Sequence, residues 1–295
     1  MEMNKYPPVV LLDSGMDATH PDLAKTVLGF VDFVHDRKEP YDDFGHGTHI
    51  AGIIAGDGRM SEGKYKGYAP GCPLYILKIL DENGQGTRRS VKEALRWVEE
   101  NRETYGLRIL NFSLGTENNN SRNQEEVLAM VDRMVELGLI VIAAAGNMGP
   151  WRGSITAPGS SKKVITVGAS DMLSKTRIYS GRGPTAECVC KPDIVFPGKN
   201  IVSCAAAVEK CGWYCKKSGT SMSSAAVSGL TARLLSRYPS LTHREIKFFM
   251  HSCCTDLHLD RNIQGWGRLE PQLYLHKNPL LFTGKSVNTN KNPSL

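Results

Sequence analysis

Val9-Val10-Leu11-Leu12-Asp13-Ser14-Gly15 is an apolar run that closes on an acid and a Ser-Gly turn. Near-continuous apolar runs suit strands buried on both faces, as in a parallel sheet covered by helices. The carboxyl edge of such a sheet is where α/β proteins gather ligands and reactive groups. Asp13 is therefore a candidate site residue, although an aspartate there could equally cap a turn.

Working outward, further apolar runs predict strands over Leu74–Ile79, Ile109–Ser113, Leu139–Ala144 and Val164–Ala169. Between them, helical periodicity appears over Gly47–Ala55, Ser90–Thr104, Gln124–Leu137, Ser221–Tyr238 and Thr242–His251. In the second of these, Val91, Ala94, Leu95 and Val98 fall on one face, which marks a core-packing helix. Ser90 reads as its N-cap, with Glu93 completing a capping box, and Gly106 as its end. Thr242 with Glu245 repeats the capping pattern. The alternation predicts an α/β fold with a mostly parallel central sheet covered by helices on both faces. Residues 1–278 are expected to form one domain and the polar residues 279–295 a solvated tail; Asn118–Ser121 reads as a surface loop.

A chain of 295 residues with 41% apolar and 22% charged residues has room for a large core. The net charge of +6 is spread over short basic pairs such as Arg88-Arg89 and Lys216-Lys217. Nothing resembles the clustered cations of a nucleic-acid surface. No stretch reaches the roughly 18 apolar residues of a membrane span. The apolar run after the N-terminus is too short for a signal-peptide core, so a cytoplasmic setting is expected.

Two glycine-rich segments join Asp13. In Gly45-His46-Gly47-Thr48-His49-Ile50-Ala51-Gly52, glycines flank the first histidine, and small residues let the following helix pack closely. The two histidines lack the spacing and glutamate of a zinc helix. In Ser218-Gly219-Thr220-Ser221-Met222-Ser223, a serine falls at a helix N-terminus, where unpaired backbone N–H groups can face a developing oxyanion. Taken alone, Ser221 reads as an N-cap. Taken together, Asp, His and Ser follow one another in the chain order found in subtilisin. An α/β-hydrolase esterase would place its histidine last.

On these motifs, with Ala143-Ala144-Ala145-Gly146-Asn147, Ser180-Gly181-Arg182-Gly183-Pro184 and Lys191-Pro192-Asp193-Ile194, the sequence resembles the catalytic domain of the subtilisin-like serine proteases. The resemblance runs from about Val9 to Leu273. It implies the three-layer subtilisin-like fold and endopeptidase activity. Ser221 would be the nucleophile, His46 its base, Asp13 the residue orienting His46, and Asn147 an oxyanion-hole donor; His49 reads as structural. It also implies that Gly84 and Gly86, with Ser113, Leu114 and Gly115, pair with an extended peptide. Ala144, Gly146 and Thr156 would wall the primary pocket. Met148 stands where an acid is frequent, so the pocket is expected to be uncharged. Arg88, near a usual aromatic position, implies a preference for an acidic residue upstream of the cleavage point.

The chemistry needs no cofactor. Asp22 matches a frequent calcium ligand of the family, although Gly56–Gly67 does not look like an oxygen-rich partner loop. A structural calcium therefore stays open. Eight cysteines in a long chain without a leader are expected as free thiols, with a Cys211–Cys215 bridge across a hairpin tip as the alternative. Neither Cys188-Val-Cys190 nor Cys211-x3-Cys215 has the usual zinc spacing. Only twelve residues precede Asp13, which leaves no room in this chain for the large prodomain of secreted relatives. The segment Tyr6-Pro7-Pro8 is a candidate to block the cleft in its place.

Overall fold

A computed structural model describes residues 5–115, 121–173 and 179–282, with side chains 121–124 left aside. Its centre is a nine-stranded sheet. In chain order the strands are β1 (Val9–Asp13), β2 (Val27–Asp32), β3 (Leu74–Lys78), β4 (Ile109–Phe112), β5 (Ile140–Ala144), β6 (Ile165–Ala169), β7 (Ile194–Phe196), β10 (Cys254–Thr255) and β11 (Arg268–Leu269). β8 (Ile201–Cys204) and β9 (Tyr214–Lys217) form a separate antiparallel hairpin. The helices are α1 (His46–Ala55), α2 (Arg88–Asn101), α3 (Ser121–Glu136), α4 (Thr220–Arg237), α5 (His243–Ser252), α6 (Arg261–Gln264) and α7 (Pro271–His276).

The sheet order is β10-β11-β7-β6-β5-β4-β1-β3-β2, parallel except for the β10–β11 pair. Strand order reverses at β1, which has β3 on one side and β4 on the other. Because side chains alternate along a strand, Val9 and Leu11 enter one core layer and Val10 and Leu12 the other. The first layer is completed by α1, α4 and α5, including Ile50, Leu230 and Phe249. The second is completed by α2 and α3, including Leu95 and Val131. The expected helix-covered α/β architecture is therefore present. Among the described residues, no helix is long and apolar enough to cross a membrane.

Five local expectations are corrected. The N-cap of α2 is Thr87, whose side chain accepts from the Ser90 amide. Ser90 is instead the third helical residue, and its hydroxyl turns to the Ile79 and Thr87 carbonyls. The helix stops at Asn101, and Gly106 sits at φ 59° in the turn beyond it. Tyr6 is buried in the first core layer and the Pro7 carbonyl accepts from the Cys72 thiol, so this segment belongs to the core and does not block the cleft. Ser121 begins α3, whereas 118–120 lie outside the described residues. Pro279–Phe282 form a short 3₁₀ turn, with Phe282 against Phe249; the remainder of 279–295 is not described.

Candidate active site

Parallel register brings three strand ends level. Leu12 pairs with Phe112 and Phe112 with Ala143, so Asp13, Ser113 and Ala144 share one carboxyl edge. The N-termini of α1 and α4 deliver His46 and Ser221 to that edge.

Asp13 is fully buried, and its Oδ1 accepts from His46 Nδ1 at 2.7 Å and from the Ser14 amide at 2.8 Å. An ionised carboxylate only accepts, so the proton lies on Nδ1 and Nε2 is left as the basic nitrogen. Burial alone would disfavour the imidazolium. The charge and hydrogen bond of Asp13 outweigh it, Asp42 adds to them and Lys217 opposes, and the balance lifts His46 above the ordinary 6.5.

Ser221 is the second residue of α4 and 8% exposed. Its hydroxyl donates to the Ser113 carbonyl at 2.7 Å. The attacking geometry therefore requires the hydroxyl to turn toward His46, as is common before substrate binds. The Ser221 amide precedes the first full turn and has no carbonyl of its own helix to bond. Asn147 stands beside it. Its Oδ1 accepts from the Thr220 amide at 3.0 Å and the Thr220 hydroxyl at 3.2 Å. Because an amide N–H can only donate, these bonds fix the flip of Asn147 and leave its Nδ2 for the cleft. That nitrogen lies on the Gly219 side, 3.2 Å from where a Gly219 Cβ would be.

Two supports of the site, Asp42 and Lys78, were not singled out from the sequence; a third, His49, was read there as structural. Buried Asp42 accepts at Oδ1 from Ser14 Oγ, Phe44 N and Gly45 N, and at Oδ2 from Thr48 N and Thr48 Oγ1. It thereby caps α1, whose formal N-cap Gly45 has no side chain to do so. A carboxylate four residues before a helical histidine was the available signal. Fully buried Lys78, at the end of β3, donates to the Ser14 and Leu80 carbonyls and to Asp43. His49 lies within hydrogen-bond reach of the Ile201 and Cys215 carbonyls, at 3.2 and 3.3 Å, which ties the hairpin to α1.

The residues expected to bind substrate fall into two groups. Gly115 and Gly146 face each other across Thr156: a Cβ on Gly115 would lie 2.1 Å from Thr156 Oγ1, and one on Gly146 2.4 Å. That buried hydroxyl has no partner among the described residues. Ala144 ends β5 beside it, Leu114 packs into the second core layer, and Met148 is exposed. Gly84 and Gly86 lie on a separate turn, Gly84 against the Phe44 ring and Gly86 bridged to Leu80. Arg88 is engaged by Glu126, which also takes Lys92, so one carboxylate is shared by two cations.

Calcium does not fit at Asp22. The carboxylate accepts from Met60 N and Tyr214 OH, and its further neighbours are His20 and Cys204. Calcium needs six to eight oxygens, and the carboxylate of Asp57 in the nearby loop is taken by Arg59. All eight cysteines are free thiols, Cys211 and Cys215 included.

The subtilase family model matches residues 5–267. This chain belongs to the subtilase family. The subtilase is 36% identical over 261 residues to the serine protease AprX of Bacillus subtilis, covering 81% of this chain and 59% of that protein. It is 32% identical to subtilisin DY of Bacillus licheniformis, covering 84% of each. Among solved structures, a cold-adapted subtilisin-like serine proteinase matches with a TM-score of 0.72 at 25% identity, covering 91% of this chain and 88% of that one. The chain thus spans about three-fifths of AprX and most of subtilisin DY.

Proposed function

We propose that this subtilase is a serine endopeptidase. The observation that carries the reading is that the buried Asp13–His46 pair, Ser221 at the start of α4 and the oriented Asn147 amide converge on one sheet edge. Ser221 Oγ attacks the scissile carbonyl carbon while its proton passes to His46 Nε2. Asp13 holds the ring and stabilises the imidazolium. The Ser221 amide and Asn147 Nδ2 donate to the oxyanion. The imidazolium then gives its proton to the leaving amine, and water, deprotonated by the same nitrogen, releases the acyl group.

An extended peptide would add as a strand between Ser113–Gly115 and Gly84–Gly86, where missing side chains let its backbone approach. Thr156 between the two glycines makes the primary pocket shallow and uncharged, which suits small or medium side chains. No metal takes part in the steps.

Labelling with a fluorophosphonate tests the reading. The wild-type chain should be labelled and Ser221→Ala should not. The loss in turnover should be about 10⁶-fold, the magnitude measured for subtilisin itself. A folded wild type that resists labelling would point to a binding protein built on this fold.

A further inference from the structure

A second chemistry-bearing cluster adjoins this site and takes no part in the peptidase steps. Residues 205–213 connect β8 to β9. They make a 3₁₀ turn over Ala207–Glu209 and then reverse through Lys210 (φ 52°) and Gly212 (φ 80°). That reversal brings the Cys211 and Cys215 sulfurs and a Glu209 carboxylate oxygen within 4.8 Å of one another. Cys215 Sγ lies 3.6 Å from both Glu209 oxygens. Cys211 is exposed and the other two are half-buried, so the cluster is open to solvent on one side.

We propose that Glu209, Cys211 and Cys215 form a site for a soft or borderline dication such as Zn²⁺ or Cd²⁺, and that its occupancy inhibits the enzyme. The cysteine spacing alone did not suggest a zinc pair; the third donor comes from the turn. Two thiolates and a carboxylate are a donor set that such ions favour, with water completing a tetrahedron. Binding replaces the two thiol protons, which go to solvent. The carboxylate separates this reading from a disulfide. It supplies a third donor once a metal displaces Lys217 from it, whereas it contributes nothing to a sulfur–sulfur bond.

The cluster touches the flanks of the triad without touching its members. The Glu209 carboxylate packs on Gly45, the residue before His46, where a Cβ would meet it at 2.6 Å. The same carboxylate holds Lys217, four residues before Ser221, at 2.6 Å. Ala207 N donates to Asp17 Oδ2 at 2.9 Å, which pins the connection to the segment after Asp13. A metal that draws Glu209 toward the sulfurs loosens its hold on Gly45 and Lys217 together.

Cadmium titration of the reduced, chelator-treated full chain tests the proposal, with thiolate charge-transfer absorption as the readout. One equivalent should produce the band, zinc should compete, and peptidase turnover should fall with the same occupancy and return with chelator. Cys211→Ser should weaken cadmium binding about 100-fold or more, since even outer partners of a metal cost 10- to 100-fold, and should leave metal-free turnover unchanged. Cys204→Ser, in the buried His20–Asp22–Cys204 cluster, should change neither. Absence of the band with the thiols titrating as reduced would overturn the site, as would a band that survives Cys211→Ser. A normal band with undiminished turnover would overturn the inhibition. The inhibitory half rests on the peptidase reading, whereas the absorption readout does not, so the two fail separately.

Discussion

The Ser14 hydroxyl donates to Asp42 Oδ1 at 2.8 Å, and it accepts from the Gly47 amide at 2.9 Å. Through this pair the loop behind Asp13 is fastened to the helix that begins at His46. Asp42→Asn keeps the shape but trades charge-assisted bonds for neutral ones and turns a donor toward other donors. A stability loss of about 1–3 kcal/mol follows. Because Asp42 also helps to raise His46, the acidic limb of the kcat/KM profile should move to lower pH. Thermal unfolding and a pH–rate profile check both effects; a fall in melting temperature with an unmoved limb would leave Asp42 a structural role alone.

The sign for Asp13 follows from the same histidine. Catalysis needs the neutral imidazole, and His46 is lifted above 6.5, so kcat/KM should fall as pH drops through a value above 6.5. Asp13→Asn removes the main partner charge. The limb should shift toward acid while kcat falls about 10⁴-fold, the size measured for this exchange in a triad protease of another fold. Profiles of both variants on one peptide substrate decide it, and an unmoved limb would remove Asp13 from that role.

Legibility from the sequence followed burial. β1, β4 and β5 were readable because every residue in them is buried, which forces continuous apolar runs. β2 escaped because it is the sheet edge, mostly half-exposed, with a bulge between Val27 and Gly29. β8 and β9 escaped because the hairpin lies off the main sheet and carries Cys215, Lys216 and Lys217. Asp13, His46, Ser221 and Asn147 were readable as ordered motifs. Asp42 was not, because the Ser14 and Thr48 hydroxyls and the Phe44, Gly45 and Thr48 amides that it gathers meet only in the folded chain, which leaves its place four residues before His46 as the one local signal. Thr156 was named, but its position between Gly115 and Gly146 depends on the connections after β4 and after β5 meeting, which no local pattern encodes.

Thr156 should set the size of the accepted side chain. Its hydroxyl sits between Gly115 and Gly146, so Thr156→Ala deepens the pocket without touching either glycine. One methylene in an apolar pocket is worth about 10- to 200-fold in discrimination. The variant should therefore gain at least about tenfold in kcat/KM for leucine or phenylalanine relative to alanine before the cleaved bond. A peptide-library profile is the measurement, and an unchanged ratio would mean that another group forms the floor.

Acid lability should come from two buried histidines rather than from the triad. Burial, with His46 and Lys217 adding, pushes His49 down to about 3. Burial likewise pushes His243 down to about 4, against its bond to the Lys163 carbonyl. In the unfolded chain both titrate near 6.5. Between that value and the folded one the unfolded state binds more protons, so the stability these groups contribute is whole above 6.5 and is lost as pH falls. From pH 7 to pH 5 the loss is about 2 kcal/mol for each. His46 has the opposite sign: its contribution is present below 6.5 and lost as pH rises through its lifted value, so it offsets part of the acid loss. His49→Gln can still donate to the Ile201 or Cys215 carbonyl but does not titrate. Measured in a Ser221→Ala background to prevent self-cleavage, it should shrink the difference in unfolding free energy between pH 7 and pH 5 by about 2 kcal/mol. An unchanged difference would show that His49 is not a source of the acid sensitivity.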